Sequence, residues 1–309
     1  MARCLDNFTL PQAGEAGGVA SGTERYYSFD CANIHFICLD SMTSGRATNT
    51  AMFHWLRSDL EATAQEWIIA FWHHPPYTKG SHNSDLEPDL VEIRRNFLPL
   101  LESHGVDLVL AGHSHCYERS FLLNGHYGLS STFNATMQVD AGDGRTNGAG
   151  AYIKATGTGT VYAVAGNGGQ ATGGALDHPA MFRSLNLLGS LIIDVNSNRL
   201  DLQMLGVSAV GDTFTLIKQS APTPGVPAPG RVEELRLAVV AAPGTPVRLY
   251  FPTVTGRRYS VEWTDHLGDA GGWQPVTGAA DLAGTGTMVQ VTDPEAAGQP
   301  RRFYRVRAL

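Results

Sequence analysis

Hydrophobic positions in this chain fall into two kinds of run. Trp67–Trp72 (Trp-Ile-Ile-Ala-Phe-Trp) and 106–111 (Val-Asp-Leu-Val-Leu-Ala) are nearly continuous. Such runs read as strands covered on both faces, in a sheet sandwiched between other layers. Elsewhere the pattern is periodic. Residues 48–66 place Met52, Trp55, Leu56 and Leu60 at i, i+3, i+4 and i+8, the stripe of an amphipathic helix that covers one sheet face. Between the two strands Pro88 marks a helix start, with Leu90, Ile93 and Phe97 on one face. Pro99 then interrupts, Leu100 and Leu101 continue, and Gly105 stops the run, which predicts two short helices.

Residues 24–30 and 33–39 read as two strands joined by a short turn at Cys31-Ala32. Residues 160–165 predict one further strand, and 190–195, 199–205 and 212–217 a meander. A proline-rich spacer, Ala221-Pro-Thr-Pro-Gly-Val-Pro-Ala-Pro-Gly230, follows; prolines at that density favour an extended, semi-rigid linker. Beyond it β-forming clusters at 247–251, 259–263, 287–291 and 302–306 predict a small β-sandwich. The expected division is 1–219 for a large domain, 220–231 for the linker and 232–309 for the accessory β domain.

Both continuous runs end in histidine: Trp72 is followed by His73-His-Pro-Pro-Tyr77, and Ala111 by Gly112-His113-Ser-His115-Cys-Tyr-Glu-Arg119. The carboxyl ends of such strands are natural ligand sites. In extended chain His113 and His115 turn to one side, roughly 6–7 Å apart, and imidazole is a common ligand for zinc and iron. His73, His113 and His115 are therefore the candidate metal ligands. His82 lies in a polar rim loop between them, where a histidine serves as acid or phosphate ligand. His54, His104, His126 and His178, each taken alone, read as ordinary loop histidines. Asp140, Asp143 and Asp177 sit by glycine or in loops and read as turn formers.

His-x-Pro-x-Tyr followed by Gly-His-x-His-x-Tyr-Glu-Arg resembles the purple acid phosphatase-like metallophosphatases, within the calcineurin-like phosphoesterases, over about residues 8–218. The resemblance implies an α/β (α+β) fold, part of a four-layer αββα sandwich. It implies a metal-dependent phosphoric ester hydrolase in which metal-bound hydroxide attacks a small phosphate ester. The cofactors would be two metal ions, iron with zinc, manganese or iron. His73 and His113 would hold the divalent metal and His115 the other, His82 would act as general acid beside the ester, and Tyr117, Glu118 and Arg119 would support the ligands. The family's Asp-x-Gly, Gly-Asp-x-x-Tyr and Gly-Asn-His blocks are expected upstream of Met1, so the chain carries only part of the metal site. Asp40 fits an ordinary structural strand instead. The alternative reading is a truncated fragment acting as a binding or structural protein, and a third is a mononuclear zinc hydrolase using His73, His113 and His115.

Composition changes this picture little. A hydrophobic share of 43% allows a core. Net charge is −7, from 22 Lys+Arg against 29 Asp+Glu with no basic block, which argues against nucleic acid. No apolar run approaches the roughly 20 residues of a membrane span. No signal peptide is visible; the resemblance implies an extracellular or periplasmic parent. Cys31 and Cys38 fall in or beside neighbouring strands and could pair, though buried free thiols are the preferred reading. The carboxy-terminal domain shows no catalytic cluster and reads as structural, or as binding a surface or protein partner.

Overall fold

The computed structural model describes residues 8–155, 157–219, 237–240, 246–253, 255–266, 272–285, 287–297, 299 and 301–309. It divides into two compact units, Met1–Ala221 and Pro222–Leu309. The spacer expected at 220–231 lies outside the described residues.

In the first unit a hairpin of β1 (Tyr27–Cys31) and β2 (Ile34–Cys38) leads to helix α1 (Ala51–Ala62) and β3 (Trp67–Trp72). Helix α2 (Pro88–Ser103) then feeds β4 (Leu108–Ala111), β5 (Tyr117–Ser120) and a short ribbon, β6 (Leu122–Leu123) with β7 (Gln138–Asp140). Strands β8 (Tyr152–Ala155), β9 (Val161–Ala165) and β10 (Met181–Leu185) precede a meander of β11 (Gly189–Asn196), β12 (Arg199–Gly206) and β13 (Val210–Gln219). Two sheets result. One has seven strands in the order β1-β2-β3-β4-β9-β5-β10, and the other four in the order β11-β12-β13-β8.

The continuous apolar runs are explained by which side chains go to which face. Side chains alternate along a strand, so Ile68, Ala70 and Trp72 join the core beneath the helices. Trp67 and Ile69 join Leu108, Tyr152, Leu202 and Phe214 in a second core between the sheets. The described residues thus supply helix, sheet and sheet layers of an α/β sandwich. Helix α1 delivers Met52, Trp55, Leu56 and Leu60 to the first core as its periodicity predicts.

Helix α2 departs from expectation. Pro99 lies inside one uninterrupted sixteen-residue helix, not between two short ones. An interior proline costs about 3 kcal/mol or more. The helix also buries Leu90, Ile93, Phe97, Leu98, Leu100 and Leu101, each contributing about 1.5–3 kcal/mol. Burial outweighs the lost hydrogen bond, so the helix runs through.

The hairpin is tied to α1 by a buried histidine. His35 places Nδ1 2.7 Å from Asp30 Oδ1 and Nε2 2.9 Å from Asp59 Oδ2, and Ser28 Oγ donates to Asp59 Oδ1 at 2.7 Å. Burial alone would lower the His35 pKa, but the two carboxylates together raise it above the usual histidine value. Register sets Cys31 opposite Ile34 and Cys38 opposite Tyr27, at the two ends of the hairpin, so the pair considered from sequence is not formed. Cys31 is exposed and Cys116 buried.

The second unit pairs β14 (Ala238–Val240), β15 (Val247–Pro252) and β19 (Met288–Asp293) in one sheet. In the other sheet β16 (Arg258–Thr264) pairs with β17 (Gln274–Pro275), β18 (Leu282–Ala283) and β20 (Phe303–Ala308). Leu249, Phe251 and Val291 from the first meet Tyr259 and Val261 from the other, which makes a sandwich core.

Candidate metal centre

Parallel pairing of β3 with β4 brings the two histidine segments together. Trp72 stands opposite Ala111, and the Gly112 N–H donates to the His73 carbonyl at 3.1 Å. Each chain leaves its strand one residue later, His73 beside Gly112, so His113 is delivered to His73 and His74. The Gly-His-Ser-His segment is not extended as expected. His113 has φ 61°, and Ser114 N donates to Gly112 O at 2.7 Å and Cys116 N to Ser114 O at 2.8 Å. A side-chain-bearing residue with positive φ persists only where its surroundings enforce it. Gly166, in the loop after β9, leaves room for this turn: a Cβ there would lie 2.1 Å from the Ser114 carbonyl oxygen.

The turn gives His113 two opposed contacts. Its Nδ1 is 3.0 Å from His73 Nε2, and its Nε2 is 3.1 Å from Glu87 Oε2. His82 packs on the His113 ring with centroids 3.7 Å apart, and its Nδ1 is 3.0 Å from both Glu87 oxygens. His74 is buried beneath, with Nδ1 3.0 Å from Ser41 Oγ and its ring 4.6 Å from that of His113. Two groups of possible ligands result, His73–His74–His113 and His82–Glu87–His113, each with donor atoms within 4.8 Å of one another. His113 belongs to both.

Crowding sets the electrostatics. Although His73 keeps an exposed face, desolvation of the rest and the His74 and His113 rings hold its pKa down to about 4. His74 is lowered by burial and then by His113, with Asp89 opposing. Glu87 is held below the usual carboxylate value: burial would raise it, but His113, the Asn83 N–H and His82 outweigh that. Neutral imidazoles and an ionised carboxylate are the ligand forms a cation needs.

The remaining sequence candidates are distributed elsewhere. His115 is half-buried and takes part in neither group; its N–H is bound by Ser81 Oγ at 2.8 Å and its carbonyl accepts from Thr172 N at 3.0 Å. The turned backbone at His113 removes the extended geometry that would align the two rings. Tyr117 and Arg119 bond Asp212, Tyr117 Oη at 2.9 Å and Arg119 Nε at 2.6 Å, in place of the histidine loops. Glu118, one residue out of phase on β5, is the member that reaches the loop after His73, accepting from Thr78 Oγ1 and from Lys79 N. Asp40 accepts from the Met42, Thr43 and Ser44 amides, and Asp143 from the Arg145 and Ala149 amides, so both are turn formers. Sequence reasoning missed His74 and Glu87. Adjacency to His73 was a signal for the first, whereas an acid before Pro88 reads only as a helix start.

His126 and His178 are not ordinary loop histidines. They are 0% and 2% exposed, pack around Tyr77, and have ring nitrogens without a hydrogen-bond partner. Burial, then Arg94, holds His126 to about 4 against the opposing Asp85. Burial, then His126, holds His178 to about 3, with Arg94 and Lys79 adding and Asp85 opposing. Both are neutral when folded and take up protons near 6.5 when unfolded. Stability from this source is complete above pH 6.5 and is lost as pH falls. Chemical denaturation at pH 6.5 and 5 should show a loss of about 2 kcal/mol per histidine, at about 1.4 kcal/mol per pH unit. A His126→Phe, His178→Phe double variant should flatten that slope; an unchanged slope would sink the account.

Comparison with known proteins gives this geometry a relationship. Residues 3–117 match the family model for the calcineurin-like phosphoesterases. Purple acid phosphatase 23 of Arabidopsis thaliana is 32% identical over 143 residues, 45% of this chain and 29% of its own length. Purple acid phosphatase 18 of the same plant is 34% identical over 108 residues, 34% of this chain and 24% of its own. A solved purple acid phosphatase from yellow lupin (Lupinus luteus) seeds aligns with TM-score 0.49 at 17% identity, over 67% of this chain and 38% of that one. The chain thus spans less than a third of these two Arabidopsis relatives.

Proposed function

We propose that this chain, whose residues 3–117 form part of a calcineurin-like phosphoesterase domain related to purple acid phosphatases, is a metal-dependent phosphoric ester hydrolase acting on small phosphate esters. One observation carries the reading: His73, His74, His82 and His113 converge with Glu87 at the carboxyl ends of two parallel strands. Imidazoles packed this closely repel one another when protonated, whereas a cation is bound by their lone pairs. The donor chemistry therefore fits a metal ion.

His73 and His113 are the donors for a divalent ion under this reading, with His115 on the side of a second. Such ions, when bound, lower the pKa of water and neutralise charge on phosphoryl oxygens. The chain's own residues supply position and protons. With its Nδ1 turned to Glu87, His82 has Nε2 left to pass a proton to the leaving alcohol oxygen, the task of a general acid. Ser41 and the Trp72 indole fix the His74 backbone and ring, which keeps the His73 loop in place. The compartment implied is extracellular or periplasmic, and no helix among the described residues is long and apolar enough to cross a membrane.

The test is hydrolysis of p-nitrophenyl phosphate by the full chain before and after chelation. Turnover lost with the chelator and restored by zinc, manganese or iron is expected. Turnover that ignores the chelator, or no turnover in metal-loaded protein, overturns the reading.

A further inference from the structure

The buried ion pair that ties β5 to the second sheet opens onto a cavity. Arg183 stands opposite Arg119 in the antiparallel pairing of β10 with β5, and opposite residues of such a pair share one face. Arg183 therefore follows Arg119 toward the second sheet, where its Nη2 lies 3.4 Å from the Gly211 carbonyl near the start of β13. Arg145 arrives from the loop before β8, held by its N–H to Asp143 Oδ1 at 2.9 Å. With Asn147, Asp212 and Thr213 the two arginines line a cavity of about 300 Å³, at the lower end of small-molecule sites.

The lining is rich in donors and short of acceptors. Asp212 already accepts from Tyr117 Oη, from Arg119 Nε and Nη2, and from Arg145 Nη2, which fills the roughly four lone-pair sites of a carboxylate. Arg119 and Arg145 share that one carboxylate, and Arg183 beside them has no ion-pair partner among the described residues. Three guanidinium groups thus meet one carboxylate, in a chain whose net charge is −7. Among the described residues the Asn147 amide and the Thr213 hydroxyl hydrogen-bond to no other group of the chain.

Guanidinium forks match the oxygens of carboxylates and phosphates. Two forks on separate elements, with an amide and a hydroxyl, offer donors in more planes than a flat carboxylate accepts, whereas a phosphoryl group presents three strong acceptor oxygens in a tetrahedron. We propose that this cavity binds a tetrahedral oxyanion, inorganic phosphate or the phosphoryl group of a small ester, through Arg145 and Arg183. None of the histidines of the metal centre lines it, so the inference stands apart from the hydrolase reading.

Isothermal titration calorimetry of the full chain with inorganic phosphate tests this in two backgrounds, the unaltered chain and His113→Ala, which removes the side chain shared by both histidine groups. One phosphate per His113→Ala chain is expected. Adding Arg183→Gln, at an exposed position on an edge strand, should weaken binding at least about tenfold, the loss of one hydrogen bond to a charged group. Arg145→Gln should weaken it as much, with urea denaturation as fold control because this variant also gives up the bond to Asp212. Sulfate should displace the phosphate; acetate displacing it equally well would mean a carboxylate site and overturns the inference. Phenylphosphonate displaces phosphate if the cavity takes phosphoryl groups of esters and fails to if it takes the free ion only, and either result sustains an oxyanion site. Phosphate affinity unchanged by Arg183→Gln, or lost altogether in His113→Ala, overturns the inference and leaves the hydrolase reading to its own chelation test. A chain that binds phosphate in neither background overturns it as well.

Discussion

Replacing His113 by alanine is expected to abolish cation binding and phosphate ester hydrolysis together. His113 is shared by both three-donor groups, so its loss leaves neither complete. Removing a mere outer partner of a ligand already costs 10- to 100-fold in affinity or activity; removing this ligand should cost at least about 100-fold in both. The fold should persist, because alanine is allowed at φ 61° at only a modest cost over histidine and His113 is only half-buried. Cobalt titration and p-nitrophenyl phosphate turnover, with circular dichroism as the fold control, check this. Binding and turnover retained within tenfold, roughly 1.4 kcal/mol, would mean that chemistry is housed elsewhere.

Arg119→Met is expected to destabilise the first unit by about 3–5 kcal/mol, the cost of leaving one member of a buried ion pair unpaired. Arg119 and Asp212 have fully buried side chains. The guanidinium also donates to Tyr152 Oη at 3.0 Å and to the Asp143 carbonyl at 3.1 Å, so it ties β5 to the second sheet and to the loop before β8. Burial would raise the Asp212 pKa, but Arg119 and then Arg145 hold it below the usual carboxylate value. Arg145 remains in the variant, at 2.7 Å from Asp212 Oδ1, which sets the loss at the lower end of that range. Urea denaturation measures it, and cation stoichiometry should not change. A loss of metal without a loss of stability would return Arg119 to the ligand-supporting role that the resemblance gives it.

The two predictions divide residues that the sequence presents as one motif. Gly-His-Ser-His-Cys-Tyr-Glu-Arg reads as a single block, yet His113 turns to the ligand groups, Glu118 to the loop after His73, and Tyr117 with Arg119 to Asp212. Period-two alternation along β5 accounts for the last split. The backbone turn at His113 accounts for His115 standing apart.

The sequence by itself determined what short-range physics controls. Continuous apolar runs marked the strands buried on both faces, the 3.6-residue stripe marked α1, and histidine at two strand ends marked where the candidate donor side chains meet. These signals depend on neighbours within a few positions, so they survive without coordinates. Only the tertiary structure decided the rest. Pro99 is tolerated because six buried apolar side chains of α2 outweigh one missing hydrogen bond. Glu87 becomes a candidate ligand because α2 starts beside a turn 26 residues away in sequence, and His126 with His178 become buried because both meet Tyr77. Each of these depends on which distant segments share a site, and a one-dimensional pattern carries no term for that distance.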